Sequence, residues 1–282
     1  MIDTAYLQQL RRFDLIVKKR VTSKYTGARS SVAEGRGILF KDHRIYVPGD
    51  DIRLVDWKVF ARTDDLYLKR YEEERNLEVH IVLDASNSMN FGKVKKFDYA
   101  SMLGVGFAYL SMKNNEKFRF STFADDLQSF KSKRGMGQLA SMVDFLNNLQ
   151  MGGAVKFDSM AARYKKLIQS RSVIFVISDF MFPVKAIKDG LAFLSKHDVS
   201  AIQVLDPVEK NLSLQGDFKL KDLETNELLR AYITPRLKQN YRERLNQHNL
   251  AIEQECGKLG VKFYSFTTDM SIFDAFHEIL RR

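Results

Sequence analysis

Three apolar runs in this 282-residue chain break off at a carboxylate. The first, Glu78-Val-His-Ile-Val-Leu-Asp84, runs straight into Ala85-Ser86-Asn-Ser88, so one short stretch offers a carboxylate and two hydroxyls at alternate positions. The others are Ser172-Val-Ile-Phe-Val-Ile-Ser-Asp179 and Val199-Ser-Ala-Ile-Gln-Val-Leu-Asp206. Carboxylate and hydroxyl oxygens are hard ligands suited to Mg²⁺, Mn²⁺ or Ca²⁺, and Asp179 could add a second carboxylate directly or through water. Hydroxyl ligands leave such an ion underneutralised and with open positions. It could then accept a carboxylate from another protein, which is adhesion chemistry and not turnover. The plain alternative for Asp84, Ser86 and Ser88 is a loop whose hydroxyls cap the next helix, and Asp206 beside Pro207 reads as a turn residue.

Other chemistries find no residues to carry them. The chain has no Gly-x-Ser-x-Gly elbow, no Gly-x-x-x-x-Gly-Lys phosphate loop and no dinucleotide glycine fingerprint. An aspartyl-phosphate, or metal-dependent phosphohydrolase, reading of Asp84 meets Ser86 where a second aspartate is needed. The histidines, His43, His80, His197, His248 and His277, show no ligand spacing.

The elements that must position the strand-end oxygens follow from patterning. A short Val/Ile/Leu-rich run ending in polar residues is a strand buried on both faces. Strand, tight loop and helix then place Asp84, Ser86 and Ser88 at the carboxyl end of a strand, where open α/β sheets keep their ligand crevice. Lys96 to Lys113 is apolar almost all round, with glycines that permit close approach to the sheet, and predicts a buried helix. Lys117–Phe123 alternates as a strand. Amphipathic helices are expected over 137–149 and 157–168, separated by Gly152-Gly153, then over 184–196, 235–258 and 271–280, with a last strand over 261–266. Alternating strands and helices imply right-handed crossovers and a doubly wound, mainly parallel α/β sheet. Residues 207–234 interrupt the alternation and predict an inserted β-hairpin turning at Thr225-Asn226. Upstream, an amphipathic helix is expected over 3–20, then irregular β segments broken by glycine and proline, with Asp65–Tyr71 as an edge or hairpin strand. The division expected is 1–75, packed on the core, and 76–282.

Composition is that of an ordinary globular protein, 45% hydrophobic and 28% charged. A lone cysteine, Cys256, excludes an internal disulfide, the first residues lack a secretion-signal layout, and the longest uncharged stretch is too short to span a bilayer. A cytoplasmic protein without membrane insertion is the expectation. The net charge of +10, with seven basic residues against one acidic between Arg11 and Arg29, keeps nucleic-acid or anionic-surface binding as the alternative function.

Asp84-x-Ser86-x-Ser88 after an apolar strand, with the later Ser178-Asp179, is similar to the metal-ion-dependent adhesion site of von Willebrand factor A domains, over roughly residues 75–282. The upstream stretch Arg44-Ile-Tyr46-Val-Pro48-Gly49-Asp50-Asp51-Ile-Arg53-Leu-Val-Asp56-Trp57, then Ala61-Arg62, resembles the signature of the bacterial family catalogued as domain of unknown function 58. Asp206-Pro207-Val-Glu209 and Asp222-Leu-Glu224-Thr225 resemble it too. The resemblance implies a non-enzymatic, von Willebrand factor A-like module. Its partner would be a MoxR-type AAA+ ATPase that acts in chaperone-like maturation of other proteins, and its cofactor Mg²⁺ or another divalent cation. In the adhesion site a threonine following a glycine pair completes the metal shell. Here Ala154 follows Gly152-Gly153, so the site is degenerate. From the residues alone, Arg53, Asp56 and Arg62 read as a salt-bridged scaffold holding the Trp57 segment against the core.

Overall fold

The computed structural model describes residues 6, 8–10, 34–35, 39–72, 78–153, 156–214, 216–221 and 228–281. The chain divides into two compact units, Leu15–Asn76, and Met1–Asp14 with Leu77–Arg282.

The smaller unit contains β1 (Glu34–Gly35), β2 (Leu39–Ile45), helix α1 (Trp57–Thr63) and β3 (Tyr67–Glu72). β3 lies in the middle of an antiparallel sheet of order β1-β3-β2, not at an edge or in a simple hairpin as its alternation suggests. Alternating polarity marks one wet face and does not distinguish an edge from the centre of so small a sheet. The family-signature stretch is a run of turns closed by aspartates. Asp50 accepts from the Val47 amide and from Arg44, at 2.9 and 2.8 Å, across the turn through Pro48 and Gly49, where φ is +110°. The Tyr46 amide bonds to the Leu66 carbonyl. Asp51 caps a 3-10 turn at Ile52–Leu54 and Asp56 caps α1. Asp56 also meets His43 at 2.9 Å and Lys69 at 3.5 Å, and the His43 hydrogen bond holds its carboxyl down to about 2. The scaffold thus rests on carboxylates. Among the described residues Arg53 pairs with Asp51, Arg62 is exposed, and Trp57 is 56% exposed with Phe60 edge-on to it.

The larger unit is built on β4 (Glu78–Asp84), α2 (Lys96–Lys113), β5 (Lys117–Phe123), β6 (Leu127–Ser129), α3 (Met136–Asn148), α4 (Phe157–Lys165), β7 (Val173–Ser178), α5 (Val184–Leu194) and β8 (Asp198–Leu205). Then come α6 (Pro207–Asn211), a hairpin of β9 (Gly216–Lys221) and β10 (Leu228–Ile233), α7 (Pro235–Leu259), β11 (Lys262–Thr267) and α8 (Ile272–Arg281). The hairpin is present; its expected turn at Thr225-Asn226 lies outside the described residues. The sheet order is β11-β8-β7-β4-β5-β6, parallel except where β6 meets β5. From β4 the chain steps outward to β5 and β6, then returns across β4 to β7, β8 and β11. The order therefore reverses between β4 and β7, the place where doubly wound sheets open their crevice. Val79 through Leu83 are buried, as a central parallel strand with both faces covered requires.

Of the helix expected over 3–20, Tyr6 and Gln8–Leu10 are described and helical, with the Tyr6 hydroxyl donating to the Met102 carbonyl at 2.6 Å. The basic segment 11–29 lies outside the described residues. Among the described residues no helix is long and apolar enough to cross a membrane.

Candidate functional site

Register sets the site. Leu83 pairs with Ile177, so Asp84, the last residue of β4, is level with Ser178, the last of β7. The Ser178 hydroxyl donates to Asp84 Oδ2 at 2.6 Å and is itself held by the Phe180 amide at 3.0 Å. Asp84 Oδ1 accepts from the Ser86 amide at 2.9 Å, which turns the chain sharply off the strand. Buried Met89 anchors the short 3-10 turn at Asn87–Asn90, and the Ser86 and Ser88 hydroxyls face each other at 3.0 Å. A second loop lies alongside: the Gly152 amide donates to Ala85 and the Asn87 amide to Gly153, at 3.2 and 3.4 Å. Gly153 has φ +82°, and a Cβ there would fall 2.2 Å from the Asp125 carboxyl carbon. The glycine pair therefore lies beside the loop that carries Ser86 and Ser88; Ala154 lies outside the described residues.

Asp179, one residue past β7, is on the same rim and is not open. Its Oδ1 accepts from the Met181 amide at 3.2 Å, and its Oδ2 from the Lys96 ammonium at 2.9 Å. The same ammonium donates to Glu209 Oε1 at 2.7 Å, and the Lys96 side chain is 1% exposed. Glu209 Oε2 accepts from the Asp206 amide, completing the capping box of α6, while Asp206 Oδ1 accepts from Val208. Asp206 is a turn residue, as its proline neighbour implies. It also packs on Gly92, where φ is +105° and a Cβ would lie 2.4 Å from Asp206 Oδ2. Gln203, buried in β8, donates to the Asp179 carbonyl at 3.0 Å. Lys96 and Glu209 are the residues that reading the sequence missed. The signals on offer were the Glu three places after a turn aspartate, which predicts a capping box, and a lysine opening an otherwise apolar helix.

The histidines serve the scaffold where their contacts are described: His80 meets the Tyr164 hydroxyl at 2.8 Å, His197 accepts from Ser172, and His248 meets the Phe180 carbonyl.

Charge at the rim is unbalanced. Asp179 and Glu209 share the Lys96 ammonium, and Asp84 has no cationic partner among the described residues. Burial, and next the Asp179 charge, push Asp84 up to about 7 against the hydrogen bonds from Ser178 and Ser86. Burial presses Lys96 down, but the Asp179 and Glu209 charges outweigh it and carry the ammonium above the ordinary lysine range.

The oxygens fit a small divalent ion in part. Octahedral Mg²⁺ with ligands at about 2.0–2.1 Å places adjacent ligand oxygens about 3 Å apart, and the Ser86 and Ser88 hydroxyls stand 3.0 Å apart. The Asp84 carboxylate accepts from the Ser178 hydroxyl and from both the amide and the side chain of Ser86, which leaves about one of its four acceptor positions. Among the described residues no three His, Cys, Asp or Glu side chains converge on one point, so such an ion would rest on one carboxylate and two hydroxyls.

Fold and site define a doubly wound α/β domain whose strand-end rim, at the topological switch point, presents buried carboxylates beside paired hydroxyls. The chain belongs to the family described as Protein of unknown function DUF58, which matches residues 42–251. An uncharacterized protein of Mycobacterium tuberculosis is 26% identical over 266 residues, covering 92% of this chain and 84% of the relative. An uncharacterized protein of Mycobacterium avium is 28% identical over 99 residues, covering 35% and 59%. Among solved structures, the conserved hypothetical protein BatB from Bacteroides thetaiotaomicron is 17% identical with a TM-score of 0.44, covering 73% of this chain and 97% of that one. The SpRpn10 VWA domain is 14% identical with a TM-score of 0.40, covering 72% and 94%.

Proposed function

We propose that this protein is a non-enzymatic interaction module whose rim, with Asp84, Ser86 and Ser88, takes a divalent cation such as Mg²⁺ and through it a carboxylate of a protein partner. The observation that carries this reading is the 3.0 Å pair of hydroxyls beside a buried carboxylate that lacks a cationic partner of its own among the described residues. An underneutralised ion held this way keeps Lewis acidity and open positions, so an acidic side chain from outside completes it. The partner class is a MoxR-type AAA+ ATPase, with the module serving as its adaptor in maturing other proteins. Calorimetric titration with Mg²⁺ and Mn²⁺ is expected to show binding to the full chain and none to Asp84→Ala; two identical, featureless titrations remove the metal. Size-exclusion chromatography with a MoxR-type ATPase of the same organism is expected to show co-elution that chelator and Asp84→Ala abolish. Separate elution under every condition removes that partner.

A further inference from the structure

We propose that Lys96 is the resident cation of the rim: its ammonium occupies Asp179 and Glu209, withholds Asp179 from an incoming divalent ion, and so sets how tightly the rim takes metal. This rests on the metal-binding reading above and adds the residue that tunes it.

The geometry is specific. Lys96 is the first residue of α2, and its side chain turns inward to be 1% exposed, with its nitrogen 2.9 Å from Asp179 Oδ2 and 2.7 Å from Glu209 Oε1. A lysine that only covered a helix end would keep its ammonium in water. Burial to this depth is tolerated only with paired charges. Both acceptors are themselves fixed, Asp179 by the Met181 amide and Glu209 by the Asp206 amide, so neither carboxylate is free to turn toward the serines while the ammonium stays. Lys96 thereby ties three strand-end segments together: the loop after β4, the end of β7 and the turn that opens α6. A divalent ion on Asp84, Ser86 and Ser88 meets a fixed positive charge on the neighbouring carboxylate, and the two repel across a poorly screened interior. The site is then a weak metal binder by construction. A weak ion is one whose occupancy depends on a partner's carboxylate arriving with it.

The test is Mn²⁺ titration calorimetry on the full chain. Lys96→Met frees Asp179 and is expected to bind Mn²⁺ at least about tenfold tighter than wild type, while Lys96→Arg keeps wild-type affinity. The gain should vanish in Lys96→Met/Asp179→Asn, because it acts through that carboxylate. If Lys96→Met is unfolded in chelator, the proposal requires millimolar Mn²⁺ to refold it or its partner variant Lys96→Met/Glu209→Gln, which leaves one carboxylate fewer unpaired; failure of both to fold with Mn²⁺ overturns it. Equal affinity in wild type and Lys96→Met also overturns it, and leaves the metal-binding reading standing. Binding in Lys96→Met with none in wild type supports it while removing metal from the wild-type function. No binding in either removes both.

Discussion

Asp84 is fully buried, beside a second aspartate, with hydrogen bonds from the Ser178 hydroxyl and from the amide and side chain of Ser86 to share its charge. Folding gains nothing from that charge; an asparagine of the same shape would keep the amide contact and lose the repulsion. Asp84→Asn is therefore expected to stabilise the chelator-treated protein near neutral pH by about 1–3 kcal/mol, read as a higher unfolding midpoint, while abolishing any response to Mn²⁺. A destabilised Asp84→Asn would mean the carboxylate serves the scaffold instead of a ligand. Asp84, Ser86 and Ser88 were legible in the sequence because a single turn holds them. Lys96 was not. Its partner Asp179 is 83 positions away, and a lysine at a helix start ordinarily faces water. Only the packed sheet brings the two together.

At the scale of elements, α2 shows how far pattern reaches. Its boundaries, Lys96–Lys113, are those its composition predicts, because a helix apolar all round admits one reading. Its glycines do not share one role. A Cβ on Gly104 would sit 3.2 Å from the tips of Ile81 and Leu83 in β4, which is the close approach to the sheet that was expected. A Cβ on Gly106 would instead strike Phe276 of α8 at 2.0 Å. That ring is buried and lies edge-on to Phe107 at 5.1 Å, so it has no room to yield. Alanine gains about 1 kcal/mol in a helix interior over glycine. Gly104→Ala is expected to come out within about 1 kcal/mol of wild type, whereas Gly106→Ala should lose about 1–3 kcal/mol net through overpacking. Guanidinium midpoints for the two variants compare them, and equal shifts would show that α8 can move aside. The short strand β6 went unread for a related reason: its three residues carry too little pattern to separate from a loop.

For the whole molecule, the doubly wound sheet was legible because buried parallel strands leave continuous apolar runs. The internal hydrogen bonds that lock those strands left no such trace, and His80 is the clearest case. Within β4 it is fully buried, with Nδ1 2.8 Å from the Tyr164 hydroxyl and Nε2 3.4 Å from Glu78 Oε1. Burial depresses it to about 4; Glu78 opposes this, and Arg119 and His197 add to it. The unfolded chain, with an ordinary histidine near 6.5, takes up that proton first. The share of stability that His80 contributes is therefore complete above the unfolded value and declines as pH falls from 6.5 toward about 4. The loss attributable to His80 is up to about 3 kcal/mol at 1.36 kcal/mol per pH unit. Replacing the interacting pair together, His80→Leu with Tyr164→Phe, leaves no orphaned hydroxyl and should flatten that part of the acid limb. Urea unfolding at several pH values between 4 and 7 measures the slope. A double variant that retains the full wild-type slope would show that His80 is not the source of the acid sensitivity.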